Sequence, residues 1–446
     1  MSKNTIIKGT FILTIAGIIT KILGFYNRIF LTRLIGVKEL GIYQLIFPIY
    51  LLTYSFCSQG IATTLTKHVS YHIGKKNGQN VKKTFYICLI MSGIISLITC
   101  LVIYNTAYPI SRYILKNTDC AVLLKIISIA IPFVSVKACI NAYFVGVNKP
   151  GLHGFSHLFE QIIRISTAYI LACLWTDDKI NAVLAVIAVV VGEIAATILA
   201  IFFYEIYKKK NNDSYMSENV SGKTNLSLIK ELGTDIAPIT LNNLVFTLFS
   251  SFEAIIMPTM LYYYYSDSNL AMEMYGIVTG IVIPFLLFPS TITTSLSMML
   301  LPAVSYANAK NDNKKIRSAI INSVLFCLML GVAAWLIFLL SGKWACEIAF
   351  NNIKAGMLLR KMSYLCPLIY LSGTLSAIMN GIDKAFKNLI FNISGITMRI
   401  IISFTLVPKY GITAYISGMT ISYFIIDILL LTSCLSIKKE FSYISR

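Results

Sequence analysis

Long apolar runs separated by short polar connections make up most of the chain. Each run is long enough to cross a bilayer core as an α-helix, which takes about 20 residues. None of them shows the apolar–polar alternation of a half-buried strand. The pattern predicts an all-α polytopic membrane protein with about twelve spans: Thr10–Leu34, Gly41–Thr66, Thr84–Tyr108, Val122–Val147, Phe155–Trp175, Ile180–Tyr207, Leu232–Pro258, Tyr275–Val304, Ile316–Leu340, Met357–Gly381, Leu389–Val407 and Ile412–Ile437.

The composition excludes an ordinary soluble domain. Of 446 residues, 57% are hydrophobic and 13% are charged, whereas soluble chains are about 45–50% apolar and about 25% charged. The net charge of +19 comes from short basic clusters between the apolar runs, which is typical of loops that determine topology. Nucleic-acid binding, which requires one basic patch or stripe, is therefore not expected.

Basic residues fall unevenly on the two sides of the predicted membrane. The termini and the even-numbered connections carry roughly twice as many Lys and Arg residues as the odd-numbered connections. Because positively charged loops stay in the cytoplasm, this bias predicts that both termini are cytoplasmic. The expected location is the inner membrane of a bacterial cell.

The two halves of the chain resemble each other. A polar linker at 208–229 separates an N-terminal six-helix lobe, 1–207, from a C-terminal six-helix lobe, 230–446. Each half has an even number of helices, so we expect the two copies to share one orientation and to leave a gap between two lobes. Such an arrangement favours transport by alternating access, in which one lobe rocks against the other. The shared residues recur at an offset of 235, as from Gly41 to Gly276: Gly41-Ile42 and Gly276-Ile277, Val69-Ser70-Tyr71 and Val304-Ser305-Tyr306, Pro132 and Pro367, Gly146 and Gly381, Lys149 and Lys384, Arg164-Ile165 and Arg399-Ile400.

Ionisable residues inside the spans are the candidates for a function, because an unpaired charge in hydrocarbon costs several kcal/mol. By spacing and depth we expect three intramembrane pairs, which serve either folding or function: Glu160 with Arg164, Lys137 with Glu193, and Arg399 with Asp427. Glu253 and Asp235 are the candidate gating or coupling charges.

Helix one carries two cationic residues whose predicted depths in the membrane suggest a function. Lys21 falls near the predicted midplane, and Arg28 lies about two turns further out, level with Glu253. We expect an Arg28–Glu253 pair that closes the outer side of the gap, with a static brace as the alternative. Lys21 is then left to meet an anionic headgroup, since Lys and Arg hold phosphate by charge-assisted hydrogen bonds.

Sequence motifs for metal, cofactor or catalytic chemistry are not found. The pairs His68/His72 and His153/His157 lack a third ligand, and the ten cysteines form no CxxC pair. No P-loop occurs either. We therefore expect no metal, no cofactor and no catalytic residues, so the chain is not expected to be an enzyme.

The first two helices and helix seven resemble a known family. The segments that carry the resemblance are Thr20–Ile29, Arg33–Gly36, Gly41–Tyr50, Pro238–Leu241 and Glu253-Ala254 with Pro258. They look like the stage V sporulation protein B family, within the superfamily of multidrug, oligosaccharidyl-lipid and polysaccharide exporters.

The resemblance implies a V of two six-helix lobes around a central cavity. It also implies movement of an undecaprenyl-linked saccharide for peptidoglycan, spore cortex or another polysaccharide. The cavity-lining cations of related flippases correspond to Lys21 and Arg28. The partners expected are membrane lipid and a polyprenyl-diphosphate-linked saccharide.

Two other functions stay open. A cation-coupled multidrug efflux antiporter has the same fold but needs acidic cavity groups, whereas helix one offers Lys21 and Arg28. A membrane scaffold or an integral transferase without transport is the third class.

Overall fold

The computed structural model describes most of the chain, and no β-strand occurs in the described part. Of the predicted linker 208–229, residues 211–224 lie outside the described ranges, as do Ser305 and Tyr306 of the repeat. The described ranges are 3–74, 77–147, 149–174, 181–210, 225–294, 296–297, 300, 304, 313–382 and 384–440.

The helices follow the predicted apolar runs in both halves. The first half contains α1 Lys3–Leu45, α2 Phe47–Tyr54, α3 Gly60–Gly74, α4 Gly78–Pro109, α5 Cys120–Ser128, α6 Ala130–Gly146, α7 Pro150–Leu174 and α8 Ala182–Lys210. The second contains α9 Asn225–Tyr265, α10 Ser268–Gly276, α11 Ile283–Leu287, α12 Asn313–Phe350, α13 Ile353–Met362, α14 Leu365–Gly381, α15 Ala385–Thr405, α16 Val407–Tyr410 and α17 Ile412–Glu440. Wider π-helical turns occupy Ser55–Gln59, Ile110–Ile114 and Ile277–Val282.

The described helices are long and apolar enough to span a membrane many times. Eight stretches qualify, or up to ten if each of two bent helix pairs forms one crossing. One of them, Gly17–Ile73, has 57 residues, which is about 85 Å of helix and enough for the first two predicted spans. The fifth predicted span is α7, whose hydropathy is lowered by Glu160, Arg164 and two histidines. The structure thus confirms an all-α membrane fold of about twelve crossings.

The two bent pairs occur at corresponding places in the repeat. The bend is 41° between α5 and α6 and 61° between α13 and α14. The second helices begin at Ala130 and Leu365, which are separated by the same 235 residues as Gly41 and Gly276. Each has a proline in its first turn, where the missing N–H costs no helical hydrogen bond. Both halves therefore contain the same broken span.

By their internal contacts the residues form two compact units. Unit 1 comprises Met1–Asn27 and Leu45–Ser251, and unit 2 comprises Arg28–Gln44 and Phe252–Arg446. The units differ from the predicted lobes because α1 and α9 each contribute residues to both. The lobes of the repeat remain a prediction from the sequence.

Aromatic side chains fill the core of unit 1. Phe85 of α4 stacks on Tyr204 of α8, with 4.6 Å between the ring centroids, and lies 5.0 Å from Tyr143 of α6. Leu65 of α3 and Leu232 of α9 belong to the same buried cluster. The core therefore joins α3, α4, α6 and α8 to the first part of α9.

In unit 2, glycines allow two backbones to touch. Gly36 interrupts α1 with φ 79° and ψ 169°, a conformation that is essentially restricted to glycine. After this break, Gly41 meets Gly276 of α10. A Cβ on Gly276 would lie 2.9 Å from the Gly41 nitrogen and 3.1 Å from its Cα.

We predict that Gly276→Ala destabilises the protein, because two backbones cannot move apart without disturbing the packing of unit 2. Overpacking of this kind costs about 1–3 kcal/mol. The measurement is thermal unfolding of the purified protein in detergent. The control is Gly373→Ala on α14, where an added Cβ meets nothing within 4 Å. Equal midpoints for the two variants would contradict the close approach of Gly41 and Gly276.

Candidate functional site

A cavity of about 410 Å³ lies within unit 1. Part of its wall is apolar, and several ionisable and hydrogen-bonding side chains face it from α2, α3, α6, α7 and α8. The lining residues are Tyr50, Leu51, Tyr54, Ala62, Thr63, Thr66, Val134, Lys137, Ala138, Asn141, Ala142, Val145, His153, His157, Glu160 and Glu193.

Lys137 of α6 is the central cation of this cavity wall. The residue is only 5% exposed, so its ammonium group depends on protein partners. It donates a hydrogen bond of 2.6 Å to Glu160 of α7 and a second hydrogen bond to Glu193 of α8. One buried ammonium group thereby joins two buried carboxylates from two different helices.

Arg164 completes the network from the next turn of α7. Its guanidinium donates a hydrogen bond of 2.6 Å to Glu160 and lies 3.6 Å from the carboxylate of Glu193. The four side chains thus form a closed ring of two cations and two anions. Their formal charges cancel, which is the usual condition for keeping ionised groups away from water.

Two further side chains contact the carboxylates, and a third fixes the helix that carries one of them. The Tyr50 hydroxyl donates to Glu193 over 3.5 Å, and the His157 Nδ1 atom lies 3.4 Å from Glu160. Thr197, one turn after Glu193, donates to the Phe133 carbonyl oxygen over 3.0 Å and so fastens α8 to α6. The network is therefore positioned by its own helices and by α2.

The sequence predicts the pairs of this network but not the network itself. Lys137 meets Glu193, and Glu160 meets Arg164, as expected from depth and spacing. That the two pairs share one site depends on how α6, α7 and α8 pack. One signal was available, since His153, His157, Glu160 and Arg164 recur every three or four residues along one face of α7.

In unit 2 the expected pairing of Arg399 is wrong. Its guanidinium lies 2.6 Å from the carboxylate of Glu253, to which Tyr415 also donates over 3.1 Å. Asp427, the expected partner, is 3% exposed, and neither of its carboxyl oxygens has a hydrogen-bond partner among the described residues. Equal depth did not identify the pair because depth does not say which face of a helix a side chain occupies.

The expected contact between Arg28 and Glu253 is also wrong. The Arg28 guanidinium donates instead to the Thr279 carbonyl oxygen over 3.4 Å, within unit 2. Glu253 already forms an ion pair with Arg399 and accepts a hydrogen bond from Tyr415, which leaves it little need for a third partner. Arg28 is half-buried, whereas Lys21, in unit 1, is exposed.

Asp235 forms a separate polar cluster within unit 1. It lies on the first part of α9, 2.8 Å from the Lys67 ammonium group and 3.0 Å from the His68 ring, both on α3. Nearby, Gly60 packs against Thr240, so that a Cβ on the glycine would meet the Thr240 backbone nitrogen at 2.9 Å. The cluster therefore connects the first part of α9 to the C-terminal part of α3.

Comparison with known proteins gives relatives over most of the chain. The chain is 25% identical over 431 residues to stage V sporulation protein B of Bacillus subtilis strain 168, covering 94% of this chain and 82% of that protein. It is 21% identical over 457 residues to the lipid II flippase MurJ of the same organism, covering 94% and 80%.

Solved structures show the same fold. An inward-facing multidrug resistance transporter of the MATE family superposes with a TM-score of 0.71 at 13% identity, covering 96% of this chain and 95% of that chain. A transporter of the MOP superfamily from Pyrococcus furiosus gives 0.71 at 14% identity, covering 100% and 99%. At such identities the likeness concerns the fold alone.

A family profile described as polysaccharide biosynthesis protein matches residues 6–306, which is most of the chain. With the membrane-spanning helices, this match identifies the chain as a multi-pass membrane protein that belongs to the polysaccharide biosynthesis protein family.

Proposed function

We propose that this protein carries an undecaprenyl-diphosphate-linked saccharide across the inner membrane of a bacterium by alternating access, with both termini in the cytoplasm. The cargo would serve polysaccharide, peptidoglycan or spore cortex synthesis. Family membership and two relatives, one named as a lipid II flippase and one as a sporulation protein, support the proposal.

The observation that carries the proposal is the exposed ammonium group of Lys21 on a membrane helix. Lys21 lies within the spanning stretch Gly17–Ile73, and its side chain is exposed. An exposed ammonium group can hold the oxygens of an anionic diphosphate by charge-assisted hydrogen bonds. The single acidic residue of α1, Glu39, comes more than four turns later.

Arg28 is the second proposed cation for the headgroup. A guanidinium carries five N–H donors in a fork that suits phosphate oxygens. The hydrogen bond to the Thr279 carbonyl oxygen engages one nitrogen of this fork. Arg28 thus combines an anchor in unit 2 with the chemistry of a phosphate ligand.

A cation-coupled drug antiporter is the second candidate, and the buried carboxyl group of Asp427 favours it. Such a pump needs an acidic group that is not already compensated, and Asp427 has no hydrogen-bond partner among the described residues. Against it, both acids at the cavity in unit 1, Glu160 and Glu193, are paired with cations. Drug susceptibility of a deletion strain distinguishes the two functions.

We further propose that Asp235 acts as a gating charge. Its contacts with Lys67 and His68 hold the first part of α9 against α3. Lys67 is largely exposed, and exposed ion pairs contribute only about 0–1 kcal/mol to stability. Such a pair is weak enough to open and close during a transport cycle. Glu253, held by Arg399 and Tyr415, is the corresponding candidate in unit 2.

Replacing Lys21 tests the headgroup site. We predict that Lys21→Ala slows transfer of an undecaprenyl-diphosphate-linked saccharide in proteoliposomes by about tenfold or more, because a hydrogen bond to a charged group contributes about 1.5–3 kcal/mol. Lys21→Arg, which keeps the charge, should retain most of the rate. The same variants are compared for complementation of a flippase-deficient strain.

Arg28→Ala is measured alongside, with membrane insertion and thermal stability checked for every variant. Transfer at the native rate by both Lys21→Ala and Arg28→Ala would rule out the assigned headgroup site.

A charge swap tests the gating role of Asp235. We predict that Asp235→Lys lowers the transfer rate several-fold without a large loss of thermal stability, since it places like charges beside Lys67. The double variant Asp235→Lys with Lys67→Asp should recover part of the rate, because it restores an ion pair of reversed polarity. If the double variant is no faster than the single one, the pair does not act as a gate.

A further inference from the structure

The cavity in unit 1 is built for a ligand without net charge. Lys137, Arg164, Glu160 and Glu193 are already joined in a ring whose charges cancel. A simple anion or cation entering the cavity would meet a like charge next to each opposite one. The network therefore gives neither kind of ion a net electrostatic advantage.

The same wall offers donors and acceptors side by side. The Asn141 amide both donates and accepts. The Thr63 hydroxyl donates to the Gln59 carbonyl oxygen, one turn earlier, over 2.8 Å, so it faces the cavity as an acceptor. The Nδ1 atom of His153 is buried without a hydrogen-bond partner among the described residues. A sugar hydroxyl also donates and accepts, so a polyhydroxylated molecule matches this mixed wall better than a purely apolar one does.

Aromatic residues and cavity size agree with a sugar. Tyr50 and Tyr54 line the cavity, and each combines an apolar ring face with a polar hydroxyl. The C–H face of a sugar ring packs on such a surface while its hydroxyls reach polar groups. A volume of about 410 Å³ falls within the usual range of small-ligand sites, about 300–1,000 Å³. It suits a short saccharide rather than an extended glycan.

We propose that this cavity binds the uncharged sugar that follows the diphosphate of the lipid-linked cargo. The inference rests on the proposed function and adds a second recognition element to it. Lys21, the proposed partner of the diphosphate, belongs to the segment of α1 that is part of the same unit. The site accordingly recognises the cargo by neutral hydrogen bonding, separately from its charge.

The test compares lipids that differ only in their sugar. Binding of the full chain in detergent is measured for undecaprenyl diphosphate itself and for three derivatives that carry glucose, N-acetylglucosamine or N-acetylgalactosamine. We expect at least one sugar-bearing lipid to bind about tenfold more tightly than undecaprenyl diphosphate, which corresponds to about 1.4 kcal/mol. Equal affinity for all four lipids would overturn the sugar site while leaving a lipid-diphosphate carrier intact.

Variants that fill the cavity test whether the sugar binds there. Ala138→Leu on α6 and Thr63→Leu on α3 add bulk from two different walls, and each should abolish the advantage of the sugar-bearing lipid without weakening binding of undecaprenyl diphosphate. The matched control is Ala333→Leu on the exposed face of α12 in unit 2. Only variants that keep the native thermal unfolding midpoint are compared.

The outcomes distinguish failure of the proposed sugar site from failure of the proposed carrier function. A sugar advantage that persists in both filled variants places the sugar elsewhere and overturns the inference. If none of the four lipids binds to the native chain, the proposed function itself fails, and the inference fails with it.

Discussion

A bilayer core offers no water to solvate a peptide group or a charged side chain, and the rest of this structure follows from that constraint. Backbone groups must satisfy one another, so the described chain is helical wherever it is apolar. Charged side chains must find partners inside the protein, so Lys137, Glu160, Glu193 and Arg164 gather into one ring. The constraint also draws attention to Lys21, an exposed cation on a membrane helix.

The ring in unit 1 has consequences for folding and for recognition. Its members come from α6, α7 and α8, and a buried ion left without its partner costs several kcal/mol. The network therefore favours one relative arrangement of these helices over others in which the same apolar faces would pack equally well. Because the arrangement is fixed, the cavity beside it keeps its donors and acceptors in defined places. Structural and binding roles are thus compatible in the same side chains.

Sequence patterns predict the helices and the side-chain pairs that depend on local spacing. The apolar runs gave the helices, and the spacing of Glu160 and Arg164 gave a pair that the structure contains. Contacts that depend on which faces of distant helices meet cannot be predicted from spacing or depth. The expected pairs Arg399–Asp427 and Arg28–Glu253 do not form in the described part of the structure. The cavity was also missed, because no single helix contains it.

A carrier must release what it binds, and this limits how the cargo can be held. A site that gripped a diphosphate with many cations would retain it, since charge-assisted hydrogen bonds are about twice as strong as neutral ones. On α1 the proposed contact with the diphosphate consists of Lys21 and Arg28. The proposed recognition of the sugar depends on hydrogen bonds between its hydroxyl groups and the charge-balanced cavity of unit 1. Those contacts exchange readily with water, because water offers a sugar the same donors and acceptors. Selectivity for the sugar can therefore be obtained without binding so tight that it would stop the transport cycle.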